Sequence, residues 1–198
     1  MEYRLLGRTG VRVSRLCFGT MSFGGDADET ESAGMYRACR DAGINFFDCA
    51  DQYNKGRSEE ILGQLMRGHR DELVITTKSF NPAGPDINAR GNSRRHVTRA
   101  VEASLKRLAT DRVDVFFLHQ ADPHTPIEES LRALEDLTRA GKVLYSGLSN
   151  HSAWMTQKAL DVQEKNGWAR LQVIQPMYNL VKRQAEVEIL PMAQANGI

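Results

Sequence analysis

Val113-Asp-Val-Phe-Phe-Leu-His119 is a short, almost continuously apolar run, and Val143-Leu-Tyr-Ser-Gly-Leu-Ser149 is another. Between them Ile127, Leu131, Leu134 and Thr138 recur at helical spacing, and Gly141 stands where that helix should end. Apolar runs without polar alternation suit strands buried on both faces. A stripe with the helical period suits a helix laid across them. The stretch therefore predicts a strand, a crossover helix and a second parallel strand.

The unit repeats in both directions. Further strands are predicted at residues 15–19, 44–49, 73–78 and 171–175, alongside those at 113–119 and 143–149. Val97, Val101, Leu105 and Leu108 form a second helical stripe, and Met155, Ala159 and Val162 a third. Gly43, Gly141, Gly167 and Gly197 each close a helix just ahead of a real or expected strand, where a left-handed residue suits the C-cap. Residues 3–6 and 11–13 flank Gly7-Arg-Thr-Gly10 and read as a hairpin. Pro191, inside the last helix, should kink or break it.

Repeated strand–helix units admit an open doubly wound sheet or a closed barrel. A dinucleotide-binding open sheet should carry GxGxxG after its first strand. Gly19-Thr-Met-Ser-Phe-Gly-Gly25 does not fit that pattern, so a (β/α)8 barrel with an N-terminal hairpin is expected. Such a barrel needs eight units in about 250 residues. Roughly six are visible, and Gly197-Ile198 stands where a seventh strand should begin. Residues 1–198 thus read as a single barrel domain, incomplete on its C-terminal side, with exposed edges on its first and sixth strands.

Lys plus Arg number 26 and Asp plus Glu 25, a net charge of +1. That balance gives no reason to expect nucleic acid or an anionic membrane as partner. The basic run Arg94, Arg95, Arg99, Lys106 and Arg107 reads as the solvated face of a helix. Cys17, Cys39 and Cys49 form no CxxC pair and read as small buried hydrophobes in a reducing compartment. With no signal-peptide pattern and no apolar run of membrane-spanning length, the cytoplasm is the expected location. His69, His96, His124 and His151 show no metal-ligand spacing and read as surface or capping residues, and no metal is expected. Trp154 and Trp168 read as helix-packing residues. The oligomeric state leaves no mark in the sequence.

Chemistry in such barrels sits where the strands finish. In order, the predicted strands end at Gly19-Thr20, Asp48, Lys78, His119, Ser149-Asn150 and Gln175. Apolar strands that each end in a polar group would gather those groups at one mouth. Taken singly, Asp48 and Lys78 also fit a structural ion pair, Tyr53 a loop aromatic, and His119 a hydrogen-bonded core histidine.

Ile44-Asn-Phe-Phe-Asp48-Cys-Ala-Asp-Gln-Tyr53, followed by Ser58-Glu-Glu-Ile-Leu-Gly63, resembles the aldo-keto reductase pattern with Asp and Tyr five residues apart. Thr76-Thr-Lys78, Phe117-Leu-His119, Gly147-Leu-Ser-Asn150 and Gln175-Pro-Met-Tyr178 resemble the remaining blocks of that family, in order. The resemblance covers essentially the whole chain. It implies an oxidoreductase passing hydride between NADPH, with NADH as the alternative, and a small aldehyde, ketone or sugar-like carbonyl. Tyr53 would be the general acid, Lys78 and Asp48 its tuning pair, and His119 the residue orienting the substrate. Such chemistry needs a phenol more acidic than its usual pKa of about 10, and a neighbouring ammonium supplies that.

By the same resemblance Ser149, Asn150 and Gln175 would hold the nicotinamide carboxamide, with Gly19, Thr20, Met21 and Asp48 also against the cofactor. Met21, Tyr53, Phe80, His119 and Gln120 would line the substrate site, with Asn150 at its rim. The family's seventh strand supplies an aromatic for the nicotinamide, and the region of its eighth supplies cations for the adenosine phosphate. Neither occurs within these residues, so weak NADPH binding or none is expected of them alone. Beta subunits of voltage-gated potassium channels share this fold and also resemble residues 93–108 and Asp122-Pro-His-Thr-Pro126, implying a cofactor sensor as the alternative to an enzyme. A lyase or isomerase using Lys78 as a Schiff-base nucleophile is the remaining alternative, but it leaves Tyr53 and the Ser149-Asn150-Gln175 set without a role.

Overall fold

A computed structural model describes residues 1–198. An antiparallel hairpin, β1 (Tyr3–Leu5) and β2 (Arg12–Ser14), precedes six βα units. Strands β3 (Phe18–Gly19), β4 (Phe46–Asp48), β5 (Val74–Ser79), β6 (Val113–Leu118), β7 (Val143–Ser149) and β8 (Val173–Gln175) form one all-parallel sheet in chain order. Each is followed by a helix: α1 (Glu29–Asp41), α2 (Arg57–Leu65), α3 (Arg94–Leu108), α4 (Ile127–Arg139), α5 (Ala153–Asn166) and α6 (Ile189–Asn196). The sheet curls with the helices on its outer side, giving six of the eight units of a (β/α)8 barrel. Strands β3 and β8 are its edges. No helix is long and apolar enough to cross a membrane.

Two cores follow from strand alternation. Outward residues such as Phe47, Ile75, Phe116 and Leu118 pack with Val97, Val101, Leu131, Leu134 and Leu160 of the helices. Inward residues Val74, Val115 and Phe117 meet Leu6 and Val13 of the hairpin, which plugs the N-terminal end of the barrel. Above this plug the inner face becomes polar, and that change of lining places the site at the opposite end. Local chemistry sets the helix ends. Asp28 accepts from the Glu31 N–H while the Glu31 carboxylate accepts from Asp28 N–H, a capping box. Gly43, Gly141, Gly167 and Gly197 all have φ between +63° and +81°, as their placement at the helix ends predicts.

Several expectations need correcting. The first strand shrinks from residues 15–19 to Phe18–Gly19, because as an edge it has a single pairing partner. Pro191 neither kinks nor breaks α6, since it lies in the first turn, where no intrahelical N–H is required. Cys17, just before that edge strand, is exposed, whereas Cys39 and Cys49 are buried. His96 and His151 are buried rather than superficial. Trp168 packs against the core beneath the Arg132 guanidinium, but Trp154 is 66% exposed. Arg107 leaves the solvated basic face and pairs with the fully buried Glu59.

Candidate active site at the strand ends

Strand register brings the polar strand ends together. Gly19 lies beside Asp48, Asp48 beside Thr76, and Ser149 beside Gln175. Lys78 pairs in register with Phe117, and Phe117 with Gly147. A Cβ at Gly147 would lie 2.6 Å from the Phe117 ring and 2.9 Å from Val173, so this layer of the barrel closes only over glycine.

Lys78 is completely buried, and all three ammonium hydrogens have acceptors. Nζ donates to Asp48 Oδ2 at 2.6 Å, to the Cys49 carbonyl at 2.6 Å and to the Tyr53 hydroxyl at 3.4 Å. The other Asp48 oxygen accepts from Thr76 Oγ1 at 2.5 Å. The carboxylate is thereby fixed between a charge partner and a hydroxyl, the arrangement that makes a buried ion pair tolerable. Tyr53 sits at the start of a short 3-10 turn, Tyr53–Gly56, in which Asn54 and Lys55 have positive φ. Asn54 Nδ2 bonds the carbonyls of Met21 and Phe23, tying the Tyr53 loop to the loop after β3.

Burial raises the Tyr53 phenol above its ordinary value; the Lys78 ammonium pulls it back and Asp48 partly cancels that pull. Proximity of the ammonium therefore moderates the phenol, but it does not bring it below 10 as the sequence reading expected. The Tyr53 and His119 rings lie edge to face with centroids 6.3 Å apart. Burial, reinforced by Lys78, lowers His119 to about 4, so its imidazole is neutral at pH 7. Its Nδ1 is buried without a partner.

On the other side of the mouth, Asn150 Nδ2 donates to the His119 carbonyl and to Ser149 Oγ, and Ser149 Oγ donates to the Gln175 carbonyl. Both amide hydrogens of Asn150 are spent, which leaves Oδ1 as its free acceptor. The Gln175 side-chain amide bonds to no other residue, although its carbonyl is engaged by Ser149 and by Asn150 N–H. A free acceptor and a free amide on neighbouring strand ends match the donor and acceptor of a carboxamide. Gly19 and Met21 are exposed at the mouth, Phe80 is half-buried, and Gln120 is exposed. Thr20 is different. It is fully buried, and its hydroxyl donates to the Asp48 carbonyl and accepts from Ser58 Oγ, so its side chain supports the loop and does not reach the mouth.

Three supporting residues escaped the sequence reading. Thr76 holds Asp48, as above. Glu59 accepts from Thr77 Oγ1 at 2.5 Å and from Arg107 Nε at 2.6 Å, locking α2 and α3 to the strand that carries Lys78. Asp51 is buried with both carboxylate oxygens unpartnered; burial and the nearby Glu59 raise it to about 7. Its place between Asp48 and Tyr53 was the available signal, but burial depends on contacts that spacing does not show.

Comparison with known proteins shows the family to which the chain belongs. A model of the aldo/keto reductase family matches residues 15–198. A probable voltage-gated potassium channel subunit beta of Oryza sativa is 42% identical over 100% of this chain and 62% of its own length. An uncharacterized oxidoreductase of Bacillus subtilis is 41% identical over 100% of the chain and 64% of its own. The versiconal hemiacetal acetate reductase of Aspergillus parasiticus is 34% identical, again over 100% of the chain and 65% of its own. The chain thus spans somewhat under two thirds of the length of these relatives. With six βα units in register and a family model matched from the first barrel strand onward, the chain belongs to the aldo/keto reductase family.

Proposed function

We propose that these residues form the reactive rim of an NADP(H)-dependent carbonyl reductase acting on a small aldehyde, ketone or sugar-like substrate, with Tyr53 as general acid. One observation carries the reading: a wholly buried ammonium, held by Asp48, reaches a phenol at the mouth of the barrel. Packing alone does not require an ion pair there, and its desolvation is costly.

When bound, a reduced nicotinamide supplies the hydride. Gln175 and Asn150 offer the carboxamide a donor and an acceptor, which supports a nicotinamide cofactor. The chain's own residues handle the proton. Lys78 donates to the Tyr53 oxygen, so the phenolic hydrogen is free to point at a substrate oxygen. As that proton leaves, the ammonium meets the forming phenolate and stabilises it. Asp48 keeps the ammonium oriented throughout. A neutral His119 presents an uncharged imidazole beside the phenol and orients the carbonyl without competing for its proton.

The reading is tested by NADPH-dependent reduction of 4-nitrobenzaldehyde in the protein that carries this chain. Tyr53→Phe should lower kcat by about 10²- to 10⁴-fold with cofactor affinity held, measured by nicotinamide fluorescence. Unchanged turnover in that variant would remove Tyr53 from the reaction.

A second reading has specific support in the 42% identity to a probable potassium channel subunit beta. In it the same rim holds the cofactor as a sensor and a partner protein reads its state. Tight cofactor retention with negligible turnover of aldehydes would favour that reading over the enzyme.

A further inference from the structure

Behind the rim, on the outer side of the loops after β5, β6 and β7, lies a cavity of about 280 Å³ lined by Asn92, Pro126, His151, Trp154 and Met155 among others. It is separate from the mouth that holds Tyr53 and Lys78, neither of which lines it. Its walls are tied to the rim by backbone: Asn92 Nδ2 donates to the Gln120 carbonyl, and His151 Nδ1 lies 2.8 Å from the Ser149 carbonyl.

That second bond fixes the chemistry of His151. A carbonyl only accepts, so Nδ1 carries the hydrogen, and burial lowers the imidazole's pKa, which keeps it neutral. Nε2 is then a lone-pair acceptor. It has no partner in the chain, on a residue that is only 7% exposed. Asn92, 1% exposed, leaves its Oδ1 without a donor in the same wall. In the same lining stands Trp154, a large aromatic left 66% exposed while its helix buries Ala153, Ala159 and Leu160. An acceptor left open in a cavity wall can take a ligand's hydroxyl, and an exposed indole in the same lining is a ready stacking face.

We propose that this cavity is a second small-molecule site, distinct from the catalytic mouth, for a one-ring aromatic alcohol or phenol. The ring packs between Trp154, Pro126 and Met155, and the hydroxyl donates to His151 Nε2. The volume accommodates one such ring. The lining holds one carboxylate, Asp122, and one ammonium, Lys158, so it carries no net charge and suits a neutral ligand.

Titration with phenol, followed by the two indole N–H resonances of the isotopically labelled protein, tests this. The Trp154 signal should move saturably while Trp168 stays fixed. Trp154→Ala, a surface change that does not threaten the fold, abolishes that reporter, so binding there is read by calorimetry and should weaken at least fivefold. His151→Phe, which keeps the ring and removes the acceptor, should weaken it by about fivefold, the worth of one hydrogen bond. Tyr53→Phe should leave phenol binding at this site unchanged, which separates it from the catalytic mouth. Shifts that never saturate, or an affinity unaltered in both cavity variants, would overturn the proposal. So would loss of the Trp154 response in Tyr53→Phe.

Discussion

Neutralising Asp48 tests how much the buried pair with Lys78 matters to the fold. In Asp48→Asn the fully buried ammonium keeps the Cys49 carbonyl and the Tyr53 hydroxyl but loses its counter-charge. Removing one member of a buried pair typically costs about 3–5 kcal/mol. Two surviving acceptors place this case near the lower bound, at about 3 kcal/mol. Lys78→Met should cost a similar amount, since it strands the carboxylate at 9% exposure. The double variant has no charge to strand. It keeps the Thr76 bond to the side chain at 48 and loses the donor to the Cys49 carbonyl, so it should cost only about 1–2 kcal/mol. The singles therefore sum to about 6 kcal/mol and the double falls about 4–5 kcal/mol short of that sum. Urea unfolding of the four proteins at pH 7, with m-values compared, reads this directly. Costs that add within about 0.5 kcal/mol would show the two charges uncoupled and refute the argument.

Further expectations follow from single sites. Gly147→Ala places a methyl against the Phe117 ring and should destabilise by about 1–3 kcal/mol, visible as a lowered unfolding midpoint with unchanged m. His119, ordinarily near 6.5 and held at about 4, binds its proton more weakly folded than unfolded. Its contribution is present above pH 6.5 and is lost as pH falls toward 4, so His119→Gln should flatten the stability profile in that window. Asp51 has the opposite sign: raised from 3.8 to about 7, it favours the folded state while protonated and opposes it as pH rises through that range. Asp51→Asn should therefore stabilise more at pH 8 than at pH 5, and an equal effect at both would contradict its placement.

Much of this molecule could be read from its residues, and the failures have physical causes. The strand at residues 143–149 is observed with the bounds its apolar run predicts, because it is hydrogen-bonded to a neighbour on each side, β6 and β8. The edge strand near Cys17 was overestimated for the opposite reason. Polar residues at the strand ends marked Asp48, Lys78, Ser149 and Gln175, since register turns sequence position directly into neighbourhood. Thr20 shows the limit. Its motif placed it at the mouth, but a hydroxyl partner 38 residues away, Ser58, turns it inward. Asp51 and Glu59 are likewise defined by burial between helices, where residues from α3 decide the outcome.

The central claim is that the Lys78 ammonium acts on the Tyr53 phenol, and titrating that phenol tests it most directly. With tyrosine carbons labelled, the Tyr53 ring signal can be followed by NMR through alkaline pH in the wild type and in Lys78→Met. The account predicts a higher pKa in the variant, because the stabilising charge is gone while burial and Asp48 remain. A Tyr53 pKa that stays put or falls when Lys78 is removed would contradict it.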